Sequence, residues 1–525
     1  MYLQTEKNKG IYTLALGLIL CSAFVFMQSC QKDDLVLDDG TSDGSSTSKD
    51  TTITGSVLIK YAGTTATVTN PYEGAGVSVK VSNGQVVVTS TTATVEVDYV
   101  LSGEATNGSF KLYSENRFGI VLNGVSITNS NGPAINIQSG KKATVTLLSG
   151  TSNRLIDGSS YSSSSEDQKA TFFSEGQLAF SGTGTLAVVG KYKHGIASDD
   201  YIYITEGNIT VESAASDGIH ANNYFKMDAG TLKVNASNDG IETEAGYIDV
   251  VGGTIAINSV EDGLNAGYDG TDSSIESYVQ ISGGQVTVST SDDGIKSDAL
   301  VTIKAGTVAV SKSSEGIEAP LITLAGGNVS VVSSDDCVNT SAGSGGERSD
   351  GSLLTISGGT ISLNSSGGDP LDGNGNIVMT GGTVIVQGPP SSPEVAIDVN
   401  GTFNISGGTL IASGPNAGNM IEATSTTSTQ YTALVKINGN LAANTLFNIQ
   451  DADGNSLVTF APARTAYYFV FSSAALKSGS SYKVYTGGSV SGATNTNGLN
   501  SGGTYSGGTL KGSFTVSNKL TTVTL

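Results

Sequence analysis

One short motif, an acid, a glycine and an aliphatic residue, returns through the middle of this chain and limits what the chain can fold into. It reads Asp217-Gly218-Ile219, Asp239-Gly240-Ile241, Asp262-Gly263-Leu264, Asp293-Gly294-Ile295 and Glu315-Gly316-Ile317, at intervals of 22, 23, 31 and 22 residues. The long interval holds a visible insertion, Tyr268-Asp269-Gly270-Thr271-Asp272-Ser273. His194-Gly195-Ile196 continues the series upstream, and Asp336-Cys337-Val338 and Asp369-Pro370-Leu371 continue it downstream. A unit this short cannot bury an apolar stripe alone, so successive units must stack to complete a core.

A second series runs in step with the first, with glycines at Gly207, Gly230, Gly253, Gly284, Gly306, Gly327, Gly359, Gly382 and Gly408. A short alternating segment follows each, as in Thr254-Ile255-Ala256-Ile257, and another precedes it, as in Ile248-Asp249-Val250. Apolar residues two apart share one face of a strand, so each unit holds about three short strands separated by tight turns. No helical periodicity links them, which excludes a doubly wound fold. A leucine-rich horseshoe lacks its leucine and asparagine pattern here, and the period excludes a nine-residue calcium roll.

The expected architecture is therefore all-β: a right-handed parallel β-helix, or solenoid, with an N-terminal β cap and a C-terminal antiparallel β module. The cap is expected over residues 53–118, the β-helix over 119–424 and the closing module over 425–525. Tyr467-Tyr468-Phe469-Val470-Phe471 and Tyr482-Lys483-Val484-Tyr485 carry the alternation of that module. A last turn left open would be a bare strand edge, which needs covering.

The first residues read as an address. An apolar run from Ile11 to Met27 ends at Gln28-Ser29-Cys30, which resembles the lipobox of bacterial lipoproteins. Residues 1–29 are then a signal peptide, Cys30 carries lipid, and 30–52 form a polar tether; a plain secretory signal is the alternative. Gln31-Lys32-Asp33-Asp34 resembles the signal that sends Bacteroidota-type lipoproteins to the outer face of the outer membrane. The expected location is the outer membrane, lipid-anchored and exposed at the cell surface. Cys21 leaves with the signal and Cys30 is modified, so Cys337 has no partner for a disulfide.

A net charge of −21 argues against nucleic acid as a partner and favours cations. If turns stack about 4.8 Å apart, Asp217, Asp239, Asp262, Asp293, Glu315, Asp336 and Asp369 form one column. Unit charges at that spacing repel by roughly 0.9 kcal/mol even in water. Glu261, Asp292 and Asp335 precede members of the column, and Glu242, Glu318 and Asp372 follow at three residues. With Asn238, Asn265 and Asn339 they offer oxygen ligands, the preference of calcium or magnesium, and one or more calcium ions are expected along this edge. The alternative is that Asp-Gly only suits a turn, Asp bonding nearby backbone and Gly accepting positive φ.

Tyr201, Tyr224, Tyr247 and Tyr278, followed by Leu300, Leu321 and Leu353, form a second column just before the middle strand. Such a row could offer aromatic faces to the sugar rings of a polymer, or could be a ladder packed at a corner. Lys296 is the cation in the acidic edge that invites a proton-abstracting role, although such a lysine more often offsets neighbouring carboxylates; His220 takes the equivalent place in an earlier turn, and a lone histidine of this kind reads as a surface or packing residue.

Several stretches together resemble the calcium-binding, carbohydrate-binding parallel β-helix proteins of cellulolytic clostridia. They are Gly132-Pro133-Ala134-Ile135, Leu148-Ser149-Gly150-Thr151-Ser152-Asn153, His194-Gly195-Ile196, the Asp-Gly-Ile series, and the segment from Ser472-Ser473 to Gly487-Gly488. The resemblance covers roughly residues 55–525 and implies a monomeric binder of cellulose-like or acidic glycans, similar in fold to calcium-dependent pectate lyases but not an enzyme. Two rivals are a calcium-dependent lyase using Lys296 and an adhesin or structural rod.

Overall fold

The structure is a computed structural model that describes residues 55–525 apart from positions 269, 273, 344, 345 and 347. The signal segment, Cys30 and the tether lie outside the described residues. Among those described there is no α-helix, only a single 3-10 turn at Gly418–Met420.

Each repeat contributes three strands. In the repeat that opens with Asp239 they are Ile241–Thr243, Tyr247–Val250 and Thr254–Asn258. Each pairs in parallel with its counterpart one repeat on, Ile241 with Leu264, Tyr247 with Tyr278, and Thr254 with Gln285. Residues about two dozen apart in the chain therefore become neighbours, and the strands stack into three faces. This pairing is compatible with a parallel β-helix. The first face runs in unbroken parallel pairing from Gln85–Ser90 to Asp398–Val399, so parallel stacking is already present before residue 118.

Period-two alternation decides what enters the core. Ile248 and Val250 are fully buried while Tyr247 and Asp249 are half-buried, and Ile255 and Ile257 repeat the pattern on the third face. The Ile of the repeated motif points inward in every turn, giving a continuous file of Ile219, Ile241, Leu264, Ile295, Ile317, Val338 and Leu371. Cys337 is buried and unpaired, its Sγ 3.1 Å from Ser333 Oγ and from the Asn364 amide nitrogen.

The two glycine series exist for different reasons. Gly253 has φ of 81°, a left-handed conformation that a side chain strains to adopt. The glycine of the acid-glycine motif does not; instead, a Cβ at Gly240 would lie 2.4 Å from Ile257 Cγ2 and 2.5 Å from the Gly263 carbonyl oxygen. The alternative of a positive φ at Asp-Gly therefore does not hold, since the corner needs space. Gly240→Ala is expected to cost about 1–3 kcal/mol by overpacking, read from the shift of a urea midpoint.

Both ends of the stack are covered. Val57–Gly63 pairs in parallel with Val97–Ala105 and antiparallel with Thr65–Thr69. At the other end Ala466–Ser473 runs antiparallel to Thr409–Gly414 and to Thr432–Leu441, and a second antiparallel sheet around Phe447–Gln450 encloses a separate core that includes Phe447, Phe460, Phe469 and Phe471.

Candidate metal and glycan site

Stacking places the acids of the repeated motif one above another at the entrance to the first face. Asp217, Asp239, Asp262 and Asp293 are buried, whereas Glu315, Asp336 and Asp369 are half-buried. Four of these carboxylates do a job that the sequence did not disclose: each accepts the backbone N–H of the acid in the following turn. Asp239 N donates to Asp217 Oδ1 at 3.3 Å, Asp262 N to Asp239 Oδ1 at 2.8 Å, Asp293 N to Asp262 Oδ1 at 3.0 Å and Asp369 N to Asp336 Oδ1 at 2.6 Å. Asp suits this position because a short carboxylate reaches an amide one turn away while the backbone continues through the corner.

The second carboxylate oxygens meet side chains on the outer row of the first face, which reads His220, Glu242, Asn265, Lys296, Glu318, Asn339 and Asp372 in register. Asn265 donates to Asp239 Oδ2 at 3.0 Å, Lys296 to Asp293 Oδ2 at 2.7 Å, and Asn339 to Glu315 Oε2 at 2.9 Å. Three all-oxygen groups have carboxylate oxygens within 4.8 Å of one another: Asp217 with Asp239 and Glu242; Asp262 with Asp292 and Asp293; and Asp293 with Glu315 and Glu318. Glu261, Asp335 and Asp336, also expected as ligands, stand outside these groups among the described residues.

Burial and mutual repulsion hold protons on this column. Burial and the Asp293 charge push Asp262 up to about 8, and burial with Asp372 pushes Asp336 up to about 9. Glu315 and Asp369 are raised to about 7, chiefly by burial, and Asp239 and Asp293 are raised for the same reason. Asp217 is the exception: burial would raise it, but contacts from His194 and His220 hold it below the usual carboxylate range. The column is therefore short of positive charge over most of its length.

Lys296 bridges Asp293 and Glu318, its Nζ 2.7 and 3.2 Å from their oxygens. Burial alone would lower its pKa, but Asp293, Asp262 and Glu318 together raise it, so in this arrangement the amine keeps its proton. It borders a pocket of about 240 Å³ lined by Lys296, Ser297, Glu318, Pro320 and Ala342. The segments 267–277 and 341–352, which are longer than their counterparts, both leave from this corner between the first and second faces.

The second face opens with the tyrosines, brought into one row as expected. Tyr201 and Tyr224 have ring centroids 4.5 Å apart, Tyr224 and Tyr247 4.8 Å, and Tyr247 and Tyr278 4.7 Å, with the last two pairs within 1° of parallel. The faces are consequently turned onto one another. What the row offers outward is a strip of ring edges and hydroxyls, which is the packed ladder of the two arrangements the spacing allowed and not the open aromatic platform.

The sequence treated His220 as a surface or packing residue and His194 only as a member of the repeat. Both are buried, and they stack on each other beside Asp217. The signal was available in register, because His194 stands in its turn where Asp217 stands in the next.

Residues 82–337 match the sequence pattern of a family described as "carbohydrate-binding domain-containing protein". A relative in Acetivibrio thermocellus, described in the same words, is 35% identical over 97 residues, which is 18% of this chain and 34% of the relative. The match thus spans about a third of that relative's length. A solved structure described as the polysaccharide lyase-like protein from C. thermocellum, gadolinium derivative, aligns with a TM-score of 0.37 at 26% identity over 48% of this chain and 94% of that one.

Proposed function

We propose that this chain is a polysaccharide-binding protein of the cell surface, a right-handed parallel β-helix tethered to the outer membrane by lipid on Cys30. Calcium held by the stacked carboxylates completes its acidic corner. The observation that carries this reading is the column itself: seven acids in register, four of them buried, with burial and repulsion disfavouring the charge on Asp262 and Asp336 most strongly. The donor set fits calcium because Asp217, Asp239, Glu242, Asp262, Asp292, Asp293, Glu315 and Glu318 supply only oxygen. Bound there, calcium would supply positive charge to the corner and a bridge to the carboxylates of an acidic glycan. Neutral glucan chains would lie along the adjacent strip of Tyr201, Tyr224, Tyr247 and Tyr278, using ring edges and hydroxyls. The family name and the described relative support a carbohydrate as the ligand.

Affinity electrophoresis against a panel of polysaccharides tests this. Retardation by polygalacturonate is expected to disappear with chelator, while retardation by a neutral glucan persists and weakens in a Tyr224→Ala, Tyr247→Ala double variant. Mobility unchanged by every polysaccharide in the panel would refute the binding reading. Release of ultraviolet-absorbing unsaturated product from pectate would replace it with a lyase.

A further inference from the structure

The chain has two histidines in 525 residues, and they meet at one point. Ile196 pairs in register with Ile219, which sets His194 one turn before Asp217, and His220 follows Asp217 by three residues. The two rings stack with centroids 4.2 Å apart. Their Nδ1 atoms lie 2.8 Å and 3.1 Å from the same oxygen, Asp217 Oδ2, and the side chains are 2% and 4% exposed. Glu242 Oε2 stands 2.8 Å from His220 Nδ1, and Glu244 Oε1 stands 3.1 Å from its Nε2.

Protein contacts alone leave this cluster unfinished. Among the described residues neither ring nitrogen of His194 makes a hydrogen bond, although its Nδ1 is directed into the cluster at 2.8 Å from Asp217 Oδ2. A buried imidazole left unbonded is costly, and native interiors rarely tolerate it without a ligand or water. The remaining column offers oxygen only, whereas this end offers two imidazole nitrogens and a carboxylate within 4.8 Å of one another. Imidazole with carboxylate is a donor set for zinc and its neighbours rather than for calcium.

We propose that His194, Asp217 and His220, with Glu242 beside them, bind one divalent transition-metal ion of the zinc class at the amino-terminal end of the acid column. The site goes beyond the calcium reading and does not depend on glycan binding. Asp217 is the point of overlap, since it also belongs to the oxygen group with Asp239 and Glu242. A metal here replaces the contacts that two rings make to one oxygen and anchors the first turn of the column to the turn before it.

The test uses the full chain, stripped by chelation, saturated with calcium and then titrated with zinc by calorimetry, with cobalt(II) as an optical reporter of nitrogen ligation. One zinc site that survives excess calcium is expected, together with a visible cobalt spectrum that zinc abolishes. His220→Asn and His194→Asn are each expected to weaken zinc binding by more than about tenfold while the calcium titration of the Asp262–Asp293 region is retained. Because His194 is buried and its variant could fail to fold, Glu242→Gln at the half-buried edge and the cobalt spectrum of the unaltered chain also decide the matter. Absence of zinc binding in the calcium-saturated chain, or zinc affinity unchanged in a folded His220→Asn, overturns the proposal whatever the glycan panel shows.

Discussion

Stripped of divalent cations, the protein is expected to be roughly 3 kcal/mol less stable at pH 8 than at pH 5. In the unfolded chain the carboxyls lose their protons near pH 4. In the folded chain burial and neighbouring acids hold Asp262 near 8, Asp336 near 9, and Glu315 and Asp369 near 7. Across that interval the folded state binds more protons than the unfolded one. The stability these groups contribute is full below pH 4 and is lost as the pH rises through 7 to 9. His220, raised to about 9, adds a loss of the same sign, and Asp217, held low, sets the decline on the acid side. The expected drop is far smaller than independent groups would give, because each proton that stays relieves its neighbours. Urea midpoints at the two pH values check it, and saturating calcium is expected to remove most of the difference. Asp262→Asn keeps an oxygen for the Asp293 N–H but removes the charge, so it is expected to stabilise the metal-free protein at pH 8 and to blunt the calcium response. Asp262→Ala loses the acceptor as well, at a cost of about 1–3 kcal/mol. A midpoint independent of pH in the metal-free protein would refute the electrostatic account of the column.

Phe225→Ala is expected to cost about 3–5 kcal/mol, the largest effect of any single substitution considered. Phe225 is fully buried and sits in register between Ile202 and Ile248, so truncation leaves a void spanning three turns. Stability in a stacked chain is close to a sum of nearest-neighbour interfaces, and the damage should therefore stay local. Hydrogen exchange is expected to accelerate first in the strands Tyr201–Ile204, Tyr224–Met227 and Tyr247–Val250, with the sheet around Phe447 little changed. A loss below about 1 kcal/mol, or exchange that rises evenly along the chain, would contradict this picture.

The stacking itself was legible because it is written twice in local signals, in the 22-residue return of Asp-Gly-Ile and in strict alternation within each short strand. Register followed from these, and Asp239 and Asp262 do meet. What escaped depends on atoms from another turn. The carboxylate-to-amide bonds of the column require the next turn's backbone, which no residue pattern displays. The need for glycine at Gly240 arises from Ile257 on a different face, so the motif looked like a matter of φ. The tyrosine row was placed correctly, but rings one turn apart lie close enough to cover each other's faces, and spacing alone cannot show how they tilt. The histidines were hidden by being taken singly: aligned to the repeat, His194 falls directly before Asp217 and His220 three positions after it.

The longer segments at residues 267–277 and 341–352 leave from one corner, beside the Lys296 pocket, while the strands on either side of each keep their pairing. Lengthening a connection there costs chain entropy that grows only slowly with length. That corner is consequently where a connection can be lengthened or shortened with the scaffold unaltered, and where a designer could graft a recognition loop.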